Sequence, residues 1–413
     1  MKKILLSIRK KVSPFLRELL KCIVGWVPKD KNLILFSAWF GEKYADSTMY
    51  LFEYMLEKNS HEIYWFTKNE ELYKELKQKG KPVLYSNTFK AKWKQCRAVM
   101  LLSTVQTSDY NPRLLNRCIF FDLDHGFPGK PVALAQPTVN EAWRDFYYFC
   151  LKGLKFYQTA SSKFVVDYLS PCYDVNPSHY VFANKPRIDV LFNHELWEGK
   201  NAMINELRKG HKIISYLPTH RLCGKKAISL PDIFDLSFIQ SVCEKNNAYF
   251  IIKKHFYHRH EIENLSNYSN ILDLTSEPLD TQVLLAQSDV LITDFSSCFN
   301  DYLALNRPIM FYAYDYDDYL ANDRDYYWKY DKISAGYTSK TKDEFNCALQ
   351  QLSQDWKDDK HANGRNKMRR LYFDDEVEMG TSREKLCIII DQLINGTYIP
   401  FDWSKKESFP LES

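Results

Sequence analysis

An α/β protein of two doubly wound parallel-sheet domains facing a cleft, preceded by a basic amphipathic helix, is what the sequence predicts. Three observations lead there. The chain has 413 residues, more than one ordinary hydrophobic core organises, so two domains are expected. Short apolar runs alternate with amphipathic helical segments through both halves, the pattern of βα units whose strands form a parallel sheet. The stretch from Asp289 to Tyr312 condenses that plan into one strand–turn–helix–strand unit. The divisions expected are 1–31 for the basic helix, 32–205 and 206–375 for the two domains, and 376–413 for a helix packing back toward the first domain, with a tail.

In that unit, Val290 to Ile292 is a compact apolar run bounded by Asp289 and Asp294, suited to a buried parallel strand. A turn of small polar residues follows, with Thr293, Asp294, Ser296 and Ser297. Phe299, Tyr302, Leu303 and Leu305 then recur at helical spacing until Arg307-Pro308, and Ile309 to Tyr312 is a second strand. Free N–H groups and two hydroxyls at the helix start suit a phosphate. The plain alternative is that Ser296 or Ser297 only caps the helix, with Asn300 or Asp301 reaching back.

Composition excludes several classes. Apolar content of 45% with 26% charge is that of a folded protein, and a net charge of +4 implies no global nucleic-acid role. Ten cysteines are scattered singly without a Cys-x-x-Cys pair, which argues against a disulfide framework or a zinc site and for reduced thiols. The longest apolar run, Leu19 to Val27, is interrupted by Lys21 and is too short to span a bilayer. Before Asp30 only Glu18 opposes Lys2, Lys3, Arg9, Lys10, Lys11, Arg17 and Lys21, which alternate with leucines, isoleucines and Trp26. Such a helix lies in the headgroup region of an anionic membrane, or else docks its apolar face on the protein's own body. A signal peptide fits poorly, because charges recur inside the apolar run and no small-residue cleavage site follows.

Along the first half, strands are expected at 32–38, 62–67, 82–85 and 98–102, with helices at 47–58 (Ser47 as cap) and 69–79. No Gly-x-Gly-x-x-Gly or P-loop pattern accompanies them. A strand from Ile119 then runs into a loop carrying His125, Gly126, Gly129 and Lys130. Ligands of open α/β sheets bind beyond the carboxyl ends of strands, where this loop would sit, and a Gly-flanked histidine suits proton transfer. Residues 145–170 are aromatic-rich, with a helix start at Ala160 to Val166; Arg187 and Asp189 follow a short strand, and 195–210 is a polar helix and linker. The second half opens with the strand 212–217 and the turn Pro218 to Arg221. A helix at 231–246, the strand 249–253 delivering His255 to a loop, the strand 271–274 and the helix 279–287 lead into the 289–312 unit. A final amphipathic helix is expected at 382–396.

Taken together, the motifs resemble the CDP-glycerol glycerophosphotransferase family, which builds teichoic-acid-type polyol-phosphate polymers. The likeness covers about 33–395 and rests on ordered elements. These are Asp289 to Ser297 with Asp301-Tyr302 and Arg307-Pro308-Ile309; Pro186-Arg187-x-Asp189, with Ile188 replacing Asn; Tyr216 to Arg221, similar to Tyr-Ala-Pro-Thr-Trp-Arg; Arg324 with Tyr326 and Tyr327, then Ala335-Gly336; and Gly380 to Arg383. The resemblance implies a GT-B-type fold with an acceptor-side first domain, a CDP-donor-binding second domain, and neither cofactor nor metal. It implies two functional histidines: His125, in an element usually written His-Gly-Thr-Pro-Leu-Lys, and His255 after the Ile-Ile-Lys-Lys strand. Phe127 replaces Thr and Gly129 replaces Leu. The expected reaction moves glycerol phosphate from CDP-glycerol, or ribitol phosphate from CDP-ribitol, to a lipid- or polymer-linked hydroxyl, in teichoic-acid or capsule synthesis at the cytoplasmic face of a bacterial membrane. The acceptor hydroxyl attacks phosphorus in line, with positioning, charge neutralisation and a base as the requirements. His125 would take the proton and His255 would stabilise the diphosphate, with Gly126, Lys130, Arg187, Thr219, Arg221, Asp294, Ser296, Ser297, Asp301 and Arg324 as substrate-binding candidates.

Other readings stand beside this one. A metal-dependent nucleotide-sugar transferase would use an Asp-x-Asp pair, and Asp122-Leu-Asp124 and Asp315-Tyr-Asp317 have that spacing. His255, His258 and His260 could form a metal cluster, though no Cys or acidic ligand stands at standard spacing. A membrane-docked scaffold that has lost its chemistry is the non-enzymatic reading, and retention of both histidines and the Ser-Ser turn weighs against it.

Overall fold

The computed structural model describes residues 16–127, 129–197, 202–261, 263–322 and 328–407. Arg324, Tyr326 and Tyr327, and residues 1–15 of the basic segment, lie outside the described residues.

The first lobe is built on a seven-stranded sheet comprising β1 (Asp30–Phe36), β2 (Glu62–Thr67), β3 (Val83–Tyr85), β4 (Ala98–Ser103), β5 (Cys118–Asp122), β6 (Leu154–Ala160) and β7 (Tyr180–Phe182). Its order is β3-β2-β1-β4-β5-β6-β7, and every pairing is parallel. The second lobe holds β8 (Lys212–Leu217), β9 (Ala248–Ile252), β10 (Ile271–Asp273), β11 (Val290–Thr293), β12 (Ile309–Tyr312) and β13 (Tyr337–Ser339), in the order β10-β9-β8-β11-β12-β13, again all parallel. Each order reverses direction once, between β1 and β4 and between β8 and β11. Such switch points open a crevice at the strands' carboxyl ends, where ligands of doubly wound sheets bind.

The strands read as continuous apolar runs because both faces of each sheet are covered. In β1, Leu33 and Leu35 face one core while Ile34 and Phe36 face the other, and all four are buried. The second of these cores is closed by the last helix, Ser382–Asn395, whose Leu386, Ile389, Ile390 and Leu393 pack with Phe36, Leu51, Phe52 and Trp65. Asp189 holds the start of that helix, accepting the backbone N–H groups of Ser382 and Arg383 at 2.9 Å each. Gly380, at φ +83°, makes the turn into it, a conformation that favours glycine.

Two expectations are corrected in detail. The helix expected to be capped by Ser47 begins at Asp46 instead, whose own carboxylate accepts the Ser47 N–H at 2.7 Å. The expected helix 231–246 is a turn at Leu230–Ile233 followed by Leu236–Lys245, capped by Asp235.

The lobes meet along a seam. Helix Thr281–Gln287 of the second lobe packs on Pro186–Phe192 of the first, and Tyr50 Oη donates to Asp280 at 2.7 Å. On the other side Ser161 Oγ donates to the Tyr372 carbonyl at 2.6 Å. The loop after β5 and the turn after β11 face each other between these contacts.

Candidate active site

His125 sits past the end of β5, its side chain 45% exposed. Its Nδ1 lies 2.9 Å from the Thr104 carbonyl beyond β4. A carbonyl only accepts, so Nδ1 carries the proton and Nε2 keeps a lone pair. The Trp39 ring, from the loop after β1, lies 5.1 Å from the imidazole and fixes its other side.

Gly126 brings this loop against the second lobe. Its φ is +139°, and a Cβ there would lie 2.9 Å from Arg187 Nη2 and 3.1 Å from Ser297 Oγ. The histidine loop therefore abuts the Ser296–Ser297 turn, and only glycine fits between them. Asn300 Nδ2, one turn further on, donates to the Phe127 carbonyl at 3.0 Å. Phe127, one of the two departures from the family element, is buried among Phe164, Tyr168, Trp328 and Tyr372 and plugs the interface.

Ser296 and Ser297 are half-buried at the start of helix Cys298–Leu303. Ser297 occupies the N-cap position but makes no side-chain capping bond; Ser296 Oγ accepts the Cys298 N–H at 3.4 Å. Thr219, beyond β8, donates its backbone N–H to Asp294 at 2.7 Å, and its hydroxyl is buried without a protein partner.

Four of the expected substrate ligands are engaged by the protein itself. Arg187 is buried and donates to the His125 carbonyl and to Asp301, with Asp46 at 3.4 Å. Gln282 donates to the same Asp301 oxygen at 2.9 Å. Burial works against the Arg187 charge, but Asp301 and Asp46 more than offset it and raise the guanidinium pKa. This arginine ties the His125 loop to both lobes, and its Nε is buried without a protein partner. Arg221 is likewise 2% exposed, bonded to Asp315 at 2.7 and 2.9 Å and to Asp294 at 2.7 Å. It sits over the rings of Phe295, Tyr314 and Tyr319. Asp294 is wholly buried beneath the serine turn, where it receives Thr219, Phe295 and Arg221. These four hold the loops that shape the cleft. Lys130 donates to the Tyr319 hydroxyl across the lobes.

His255 follows β9. Its ring is 5.0 Å from His220 and 4.9 Å from Tyr257. Burial, then the neighbouring His220 and Lys43, push its pKa down to about 3, so it stands neutral, with Nδ1 accepting the Tyr257 backbone N–H at 3.4 Å. Lys43 comes from the first lobe, its ammonium 5.1 Å from the Trp39 ring. Burial, and next the charge of Arg259, lower its pKa to about 8. Trp39 thus lies between His125 and Lys43, and the charge of Lys43 is felt by His255 in the second lobe. Lys43, Trp39 and Arg259 were not singled out from sequence; the available signal was an aromatic, glycine and lysine run at the carboxyl end of a central strand.

Members of the acidic pairs and of the histidine triplet have protein partners. Asp315 is held by Arg221, and Asp122 accepts from Gln158 at 3.1 Å. His258 is fully buried, accepting the Arg221 N–H on Nε2 at 3.2 Å while Nδ1 faces Glu261 at 2.7 Å. Among the described residues no group of three or more His, Cys, Asp or Glu side chains is placed to hold a metal ion.

Comparison with known proteins agrees with this architecture. A solved wall teichoic acid polymerase, TagF, in a histidine-to-asparagine variant, superposes with a TM-score of 0.74 at 20% identity, covering 96% of this chain and 97% of that one, and shows the GT-B-like fold. The teichoic acid poly(glycerol phosphate) polymerase of Bacillus spizizenii is 26% identical over 345 residues, 77% of this chain and 83% of the relative. The teichoic acid ribitol-phosphate polymerase TarL of Staphylococcus aureus is 29% identical over 181 residues, 43% of this chain; the match spans only 32% of that longer protein. Residues 19–391 match the profile of one enzyme family along nearly the whole length, and the chain belongs to it: the CDP-glycerol:poly(glycerophosphate) glycerophosphotransferases.

Proposed function

We propose that this transferase moves glycerol phosphate from CDP-glycerol to a hydroxyl of a membrane-linked acceptor or growing polyol-phosphate polymer, with His125 as base. The observation that carries the reading is an imidazole with Nδ1 tied to a carbonyl and Nε2 open, packed through Gly126 against the serine turn. The acceptor oxygen attacks the phosphorus bearing glycerol, its proton passes to His125 Nε2, and the bond to the CMP oxygen breaks. Ser296, Ser297 and the Thr219 hydroxyl supply donors for phosphate oxygens. His255 donates its N–H, with Lys43 and Arg259 adding positive charge from the two lobes. Arg187, Arg221, Asp294 and Asp301 hold these groups in place.

Full-length protein given CDP-glycerol and a glycerol-phosphate-primed lipid acceptor is expected to release CMP in step with acceptor extension. Faster turnover with CDP-ribitol would reassign the donor. No CMP from either donor would overturn the reading.

The membrane enters through the helix at 16–25. Lys21 is buried against the first lobe and donates to the Phe149 and Cys150 carbonyls, and Arg17 lies over the Phe149 ring. Burial, more than any neighbouring charge, lowers the Lys21 pKa to about 8. Arg17 and Lys21, with Val24, are thus turned inward, while Leu16, Leu19, Ile23 and Trp26 are exposed, Trp26 at 87%. That is the reverse of a helix docked by its apolar face, and it presents a leucine and tryptophan surface suited to the acyl–headgroup boundary. No described helix is long and apolar enough to cross a membrane. Leu19→Ser with Ile23→Ser is expected to weaken binding to anionic vesicles about tenfold or more, since each buried side chain contributes roughly 1.5–3 kcal/mol. Unchanged partition in a vesicle flotation assay would rule this surface out.

A further inference from the structure

The residue immediately before the proposed base, just ahead of the His-Gly element, places its carboxylate 3.3 Å from the imidazole. Asp124 is 6% exposed and sits in the left-handed region, at φ +53°. A non-glycine residue stays there only where its surroundings over-determine it. Its backbone N–H donates to Asp122 Oδ1 at 3.2 Å. Its Oδ1 accepts the His125 backbone N–H at 2.6 Å and lies 3.3 Å from His125 Nδ1. Its Oδ2 accepts from Lys185 Nζ at 3.2 Å. Lys185 occupies the N-cap position of the helix Pro186–Phe192, whose Arg187 grips the His125 carbonyl.

We propose that Asp124 and Lys185 are positioning residues for His125: the carboxylate keeps the Nδ1-protonated tautomer and stabilises the imidazolium formed when Nε2 accepts the acceptor's proton, and Lys185 sets how much of that negative charge the ring feels. The inference rests on the assignment of His125 as base. No covalent step is added; the proton moves from the acceptor oxygen to Nε2, and the Nδ1 proton stays between Thr104 and Asp124. The other charged or polar groups around the ring are the Thr104 carbonyl, Arg187 on the His125 carbonyl with Asp46 and Asp301 behind it, Ser297 beside Gly126, and Lys43 beyond the Trp39 indole. Of these, only Asp124 places a carboxylate against Nδ1.

The neighbouring acid supports the division of roles. Burial first, and the Asp124 charge second, push the Asp122 carboxyl up to about 7. Burial also works against Asp124, but Lys185 and then His125 hold it below the usual carboxylate range. Asp124 is therefore the ionised member of the pair.

Two variants pull in opposite directions. Asp124→Asn removes the carboxylate charge, so the acid limb of the kcat/KM profile is expected to move to lower pH by about one unit, with kcat down about 10–100-fold. Lys185→Gln frees the carboxylate to act on the ring, so the same limb is expected to move to higher pH. Asp124→Glu should recover part of the rate. A merely structural role predicts lower activity in both without opposed shifts. The readout is the pH profile of CMP release in the full chain, alongside NMR titration of ring-labelled His125. A ring titration unmoved in both variants overturns the positioning role and leaves the base intact. A ring titration that moves while the rate limb does not overturns His125 as base, and this role with it. Should Asp124→Asn fail to fold by circular dichroism, the upward shift in Lys185→Gln decides alone.

Discussion

His125→Ala is expected to lower turnover of CDP-glycerol by about 10²–10⁴-fold, the usual contribution of a general base, while leaving the fold and CMP affinity intact. The expectation of an intact fold comes from the site's geometry. The ring is nearly half exposed and rests on the Trp39 face, the Thr104 carbonyl and the Asp124 carboxylate, so truncation removes little buried surface. Stability should change by about 1 kcal/mol or less. What Ala cannot replace is Nε2, held at the seam by a carbonyl on one side of the ring and an indole on the other. His125→Gln serves as the control, because an amide can donate to the Thr104 carbonyl yet cannot take up a proton at neutral pH. Both variants should therefore lose rate in parallel. The measurement is CMP release at saturating donor, with thermal melts on the same samples. Full turnover in the Ala variant would remove the base from the mechanism.

Arg187→Ala should be the most damaging single change to stability, at about 3–5 kcal/mol. The reason is not the lost attraction alone. Removing the guanidinium leaves Asp301 and Asp46 buried at the interface without their cation, and Asp301 keeps only the Gln282 amide. Native domains have margins of only about 5–15 kcal/mol, so the loss is a large share of the total. A double-mutant cycle isolates the pair: Arg187→Met with Asp301→Leu should recover much of what either single change loses, because it removes the stranded charge together with its partner. Activity should not recover in the double variant, since the His125 carbonyl has lost its donor. Urea denaturation of the four proteins and CMP release from each give the answer. A cost under 1 kcal/mol for Arg187→Ala would mean that the seam is held by other contacts.

The fold was legible in the sequence wherever a strand was buried on both sides. Glu62–Thr67 and Ile309–Tyr312 fall at the expected bounds, and β1, β4, β8 and β11 within a few residues, because their uninterrupted β-branched and aliphatic runs allow no other placement. Two strands were not foreseen. Leu154–Ala160 carries Lys155 and Gln158 among aromatics, in a stretch whose spacing fits a helix as well as a strand. Tyr337–Ser339 has three residues, too few to show any period, and is held at the sheet edge only by its pairing with β12.

The loops that form the candidate site were legible, the contacts their side chains make less so. Motif order marked the loops that meet at the seam, but a conspicuous arginine in a loop motif reads the same whether it faces a ligand or a buried carboxylate. Arg187 and Arg221 face carboxylates, and only the tertiary contacts of Asp301, Asp294 and Asp315 reveal it. Asp124 showed in the sequence only as half of an Asp-x-Asp pair, and Lys43 only within an aromatic, glycine and lysine run. Their neighbours Lys185 and Arg259 are distant in sequence and are brought near only by the fold.

The closing of the first lobe's second core by Ser382–Asn395 bears on how the molecule is made. Ribosomal synthesis delivers residues from the amino end, and domains commonly acquire their structure as they emerge. Here the surface formed by Phe36, Leu51, Phe52 and Trp65 must wait, uncovered, until the entire second lobe has been translated. The nascent chain therefore carries an exposed greasy face for most of its elongation, and its earliest lobe is the last to mature.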